Sequence, residues 1–131
     1  MNVNYDSIRT IAIAFELEAA PLNWLSGWYY TINGHHGDIR IPDGAEDKAL
    51  DVDLICFAAY AKAEMAKRGW TPYATGTTVG YSIEFFDEWG DQANDNGQIT
   101  NSYDYDPRDP IAEANATLLA IAEALTLSPN A

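Results

Sequence analysis

Residues 77–86 read "TTVGYSIEFF". Val79, Tyr81, Ile83 and Phe85 fall on one side of an extended chain; Thr78, Gly80, Ser82 and Glu84 fall on the other. An apolar set alternating with a polar set at period two marks a strand in a sheet with one buried face. Such a face must be covered, and the flanking sequence supplies the cover. Upstream, residues 44–68 carry Leu50, Leu54, Phe57, Ala61 and Met65 at helical spacing. Asp43 and Glu46 have the spacing of a capping box, with Asp in place of Ser or Thr. Lys67 and Arg68 close the run and Gly69 follows as a C-cap. Downstream, Asp109 and Pro110 have the order of an N-cap and a first helical residue. Ile111, Ala114, Leu118, Ile121 and Leu125 mark the apolar stripe of a helix over 110–127.

Further out the pattern continues. Between the strand and the last helix, "QITNSYDY" (98–105) has the composition of a partner strand. Residues 27–41 form a hairpin pattern: Trp28, Tyr30 and Ile32 alternate with Tyr29 and Thr31, "NGHHG" supplies a turn, and "DIRI" returns. Pro42 stops it. Residues 7–20 fit a strand through Ile11, Ile13, Phe15 and Leu17, or a helix through Ile8, Ile11, Phe15 and Ala19. Their Ala and Glu content favours a helix ended by Pro21. The fold class expected is α+β, in the order α-β-β-α-β-(β)-α: a small antiparallel sheet of three to five strands packed by about three helices.

A single composition runs through all 131 residues, so residues 1–131 are expected to form one domain. Hydrophobic residues make up 47%, with four Trp and eight Tyr, too many for a disordered acidic tail. Twenty acids face seven bases, a net charge of −13. Such a chain repels nucleic acid and anionic membranes and favours basic protein surfaces and cations, where the charge does more than keep it soluble. Cys56 is the only cysteine, so no intrachain disulfide forms. Its place within "DLICFAAY" predicts a buried, inert thiol. Neither a membrane span nor a signal-peptide pattern is visible, and a cytoplasmic location is expected.

Much of the charge lies in "FFDEWGDQANDNGQITNSYDYDPRD" (85–109). From Glu84 to Asp109 there are eight acids and one Arg, a net of −7. Read as an EF-hand loop from Gln92, the stretch has Asn94, Asn96, Gly97 and Ile99 at the right offsets. It has Gln at the first position and Tyr103 at the twelfth, where the Asp and the bidentate Glu belong. "NDNG" then reads as a turn. Asp104, Asp106 and Asp109 are close enough in sequence to share a cation, or Asp109 caps the helix while Arg108 offsets its neighbours. His35 and His36 are the only histidines, and adjacent residues in extended chain point opposite ways. There is no Walker A motif, no GxGxxG after a strand and no GxSxG elbow, so no cofactor, metal or catalytic residue is assigned. Seven dispersed bases make no nucleic-acid footprint.

The run "ALDVDLICFAAYAKAEMAKRGW", then "VGYSIEFF", then a polar gap and "DPIAEANATLLAIAEAL", resembles short phage and prophage proteins built as an alpha-beta-alpha sandwich. The resemblance covers roughly residues 45–127. It implies a bacteriophage or prophage origin and a role outside metabolism. Small, acidic phage proteins without catalytic motifs include many inhibitors of host defence, among them anti-CRISPR and anti-restriction proteins.

Three functions are therefore open. The first is a non-catalytic inhibitor that mimics nucleic acid and occupies a basic surface on a host protein or nucleoprotein complex, acting as monomer or homodimer. Its contacts would be Asp87, Glu88, Asp91, Asp95, Asp104 and Asp106, with Trp89, Tyr103 and Tyr105 as aromatic anchors. The second is a small-molecule or nucleotide binder, or a small hydrolase, using an aromatic cleft at Trp28 and Tyr30 with His35 and His36. The third is a virion or assembly protein.

Overall fold

The computed structural model describes residues 3–19, 25–32, 34–42, 49, 51–83 and 98–127. The class is α+β. Helices α1 (Val3–Ala14), α2 (Asp51–Lys67) and α3 (Pro110–Leu127) accompany strands β1 (Leu25–Ile32), β2 (His35–Pro42), β3 (Thr71–Ala74), β4 (Thr78–Ile83), β5 (Gln98–Ile99) and β6 (Tyr103–Asp104).

The strands form two antiparallel sheets rather than one. β1 and β2 pair as a hairpin. β4 is the centre of the second sheet, with β3 on one edge and β5 and β6 on the other. α3 lies on β4, with α1 and α2 packed along its sides, and α2 also meets β2. The apolar faces meet in one buried cluster that includes Ile8, Tyr30, Ile39, Phe57, Met65, Trp70, Tyr81, Leu118 and Ile121. Val79, Tyr81 and Ile83 turn inward as the alternation predicts. Phe85 lies outside the described residues.

α1 starts and stops earlier than predicted. The Leu17 amide reaches back to the Ala12 carbonyl and the Glu16 amide to the Ile13 carbonyl. Glu16 takes a left-handed conformation, φ 57°. Together these are a Schellman cap with Glu where Gly is usual, so the stop lies well before Pro21. α2 ends by the same device with its expected residue. The Trp70 amide bonds the Met65 carbonyl, the Gly69 amide bonds the Ala66 carbonyl, and Gly69 sits at φ 90°. The start of α2 is later than predicted, because Ala49 is non-helical and buried in the core. The Asp43–Glu46 capping box and Leu50 lie outside the described residues.

The hairpin is tighter than "NGHHG" suggested. Ile32 pairs with His35, so the connection is two residues long with Gly34 at φ 79°, and both histidines belong to β2. β3 was missed. It carries Pro72, which argues against a strand, but the sheet edge tolerates a residue without an amide hydrogen.

"QITNSYDY" is a partner strand with a break in it. Ser82 pairs with Ile99 but Val79 pairs with Tyr103, so the outer chain carries one residue more than β4. This is a β-bulge. Thr100 fills the break. Its amide donates to the Tyr81 carbonyl, its Oγ1 accepts the Tyr81 amide at 2.9 Å, and it donates to the Asn101 carbonyl at 2.8 Å. On the other face Tyr73 lies across Gly80, where an added Cβ would stand 2.5 Å from its ring. Its hydroxyl donates to the Thr100 carbonyl, 2.6 Å away.

Candidate binding surface

The described part of the acidic stretch begins at the bulge and runs into α3. β6 holds Tyr103 and Asp104 against Val79 and Thr78, and the Tyr105 amide extends the ladder to the Thr77 carbonyl. The chain then turns. The Asp109 amide bonds the Asp106 carbonyl. Asp109 Oδ1 accepts the amides of Ile111 and Ala112 at 3.0 and 3.2 Å, the N-cap its sequence position predicts. Asp106 accepts the Arg108 amide at 3.0 Å and its Nε at 3.2 Å. Those hydrogen bonds hold the Asp106 carboxyl below the usual carboxylate range. Asp104 is exposed. The three carboxylates of "DYDPRD" thus have separate positions: Asp109 caps α3, Asp106 binds Arg108 and Asp104 is exposed. Among the described residues, no group of three or more His, Cys, Asp or Glu side chains is placed to share a metal ion.

The aromatic residues divide as well. Tyr103 is half-buried against the core, and its hydroxyl donates to Glu123 of α3. Burial, with that hydrogen bond and the nearby negative charge, pushes the phenol up to about 12. Glu123 also accepts the Asn101 amide at 2.7 Å and the Asn101 side chain at 3.1 Å. Burial alone would raise Glu123, but the hydrogen bonds from Tyr103 and Asn101 outweigh it and leave the carboxyl lowered. Tyr103 is therefore fastened to the fold, whereas Tyr105 is half-buried and followed by the exposed turn. Asp87, Glu88, Trp89, Asp91 and Asp95 lie outside the described residues, as does the first half of the EF-hand-like segment.

The other candidate residues are not brought together. Tyr30 is 5% exposed, stacked on Tyr60 with ring centroids 4.6 Å apart, and belongs to the core. Tyr29 meets His36 with centroids 4.9 Å apart. His35 and His36 are both exposed and are successive residues of one strand, so their side chains leave on opposite faces. Cys56 is exposed, against expectation. α2 turns Leu54, Phe57, Ala58 and Ala61 inward, which puts Cys56 on the opposite side.

One partly buried ion pair carries no signal in the sequence pattern. Asp53, 6% exposed in the first turn of α2, accepts the Arg40 amide at 3.0 Å, its Nε at 2.7 Å and its Nη2 at 2.9 Å. This forked contact ties the hairpin to α2. Hydrogen bonding and charge from Asp53 hold the guanidinium more firmly protonated than usual.

The fold defines a class: an acidic α+β protein with three described helices packed with two small antiparallel sheets around one buried cluster. The chain matches no protein-family model, no curated protein and no solved structure.

Proposed function

We propose that this chain is a non-catalytic binding protein whose acidic stretch occupies a basic, nucleic-acid-binding surface on a partner. The observation that carries this reading is the charge distribution. Residues 84–109 hold a net −7 of the chain's −13. Duplex DNA presents one negative charge per about 1.7 Å of axis, and a stretch this dense in acids competes for the same cationic channel. The contacts are Asp87, Glu88, Asp91, Asp95, Asp104 and Asp106, with Trp89 and Tyr105 as anchors. Tyr103 contributes mainly by holding the edge in place, given its bond to Glu123. The phage resemblance suggests a partner in host defence, such as a restriction or CRISPR effector.

The test is a pull-down from bacterial lysate at low and high salt, with wild type and with Glu88, Asp91, Asp95 and Asp104 changed to Lys. Circular dichroism serves as the control for folding. A nucleic-acid-handling protein retained by wild type, released by salt and lost in the folded variant agrees with the proposal. Equal retention by both proteins rejects it.

A further inference from the structure

The outer chain of the second sheet keeps two registers with β4. Ser82 pairs with Ile99 and Ile83 with Gln98, but Val79 pairs with Tyr103 and Thr78 with Asp104. Between these pairs Tyr81 and Gly80 stand against three residues, Thr100 to Ser102. On the outer face the Thr100 carbonyl accepts the Tyr73 hydroxyl at 2.6 Å, leaving the Tyr81 amide to the Thr100 hydroxyl oxygen. On the α3 side a single carboxylate spans the break. Glu123 Oε2 accepts the Asn101 amide at 2.7 Å, and Oε1 accepts the Asn101 side chain at 3.1 Å and the Tyr103 hydroxyl. Asn101 lies within the bulge and Tyr103 in the pair that follows it. Among the described residues, Glu123 alone is hydrogen-bonded to both.

We infer that Glu123 is the positioning residue that fixes the register of β6, and thereby which of its side chains faces outward. Side chains alternate between the faces of a strand, so a slip of one residue exchanges them. Val79, Tyr81 and Ile83 are buried; Tyr103 shares the inner side with Val79, and Asp104 shares the other with Thr78. Without the bulge, a continuous ladder from Ile99 sets Ser102 opposite Val79 and Tyr103 opposite Thr78. Tyr103 then turns outward and Asp104 inward. The Tyr103 hydroxyl reaches α3 only from the inner side, so the carboxylate selects the bulged register. Burial of the Tyr103 ring favours the same register but does nothing for the extra residue, whose amide is held by Glu123. That Asp104 is thereby presented to a partner rests on the binding reading proposed above. The register itself is measured on the isolated protein, so its failure and the failure of that reading are distinct results.

The test is NMR spectroscopy of the whole chain. The Tyr105 amide bonds the Thr77 carbonyl, so the neighbouring pair, Thr78 and Asp104, is the close one without mutual hydrogen bonds. The α-protons of such a pair give a strong cross-strand nuclear Overhauser effect, which wild type should show. Glu123→Ala, with circular dichroism as the control for folding, should lose it. Deleting Asn101 removes the extra residue and leaves a continuous ladder in which Thr78 again meets Asp104. In that background Glu123→Ala should therefore show the contact. Absence of the contact in wild type, or its retention in folded Glu123→Ala, overturns the inference. Where Glu123→Ala alone does not fold, the deletion background decides. If the contact fails to return there, for any reason including loss of the fold, Glu123 acts through something other than the bulge and the inference is rejected.

Discussion

At the scale of single residues, the fold depends on polar contacts that sequence patterns do not display. Asp53 and Arg40 are thirteen positions apart, and nothing in either neighbourhood marks them as a pair. Asp53 sits in the first turn of a helix, where an acid is expected for its interaction with the dipole alone. Only the docking of the hairpin reveals its second task. Removing it strands a guanidinium that keeps partial access to water, with 37% of the side chain exposed. Asp53→Ala should therefore cost about 2–3 kcal/mol in urea denaturation, below the full penalty for a wholly buried pair. Arg40→Lys loses the fork and should be destabilised in the same direction. A second prediction concerns pH. Burial pushes Tyr81 up to about 12, and burial with nearby negative charge does the same for Tyr30. An unfolded tyrosine loses its proton near 10, so above that value the unfolded state binds fewer protons than the folded one. The tyrosine contribution to stability should be constant below about pH 10 and be lost as pH rises through 12, with Tyr81 alone accounting for about 2–3 kcal/mol. Phenolate absorbance and circular dichroism followed in one titration should change together; early ionisation of all tyrosines without unfolding would contradict this.

At the scale of elements, what could be read in advance depended on whether local chemistry or tertiary contact set the boundary. α3 was legible to its first residue, because Asp109 and Pro110 are strong local signals and the apolar stripe is long. The inward face of β4 was legible from its alternation. The end of α1 was not, because the residue at the left-handed cap position is Glu16, which carries no sequence signal for that conformation. A left-handed residue with a Cβ costs roughly 1–2 kcal/mol, and glycine's greater freedom in the unfolded chain offsets part of what its substitution recovers. Glu16→Gly should therefore raise stability by about 0.5–1 kcal/mol in a urea melt; a drop would show that the Glu side chain does more than occupy the cap. The bulge between β5 and β6 was hidden for a related reason. Thr100 replaces one ladder hydrogen bond, the acceptor for the Tyr81 amide, with its own hydroxyl, and that exchange is visible only once Tyr81 is opposite it. β3 was obscured by Pro72, whose missing donor matters little at an outer edge.

For the whole molecule, charge and fold address different questions. The hydrophobic pattern was enough to foresee an α+β chain with three helices, but the division of its strands into two sheets depends on contacts among elements distant in sequence. Among the described candidate residues, the structure separates roles that looked alike in sequence. Asp109 caps a helix, Asp106 orders a turn with Arg108, and Tyr103 fastens an edge to α3. Asp104 is left as an exposed charge beside the stretch that continues to Asp87. The central claim is that this negative surface competes with nucleic acid for a cationic partner. Its most direct measurement is displacement: bacterial nucleic-acid-binding proteins are loaded on immobilised DNA and eluted with this protein at constant salt. The account predicts that wild type releases a discrete protein and that the folded Glu88, Asp91, Asp95 and Asp104 to Lys variant releases none. Equal release by the two proteins, or no release by wild type at any concentration, would contradict it.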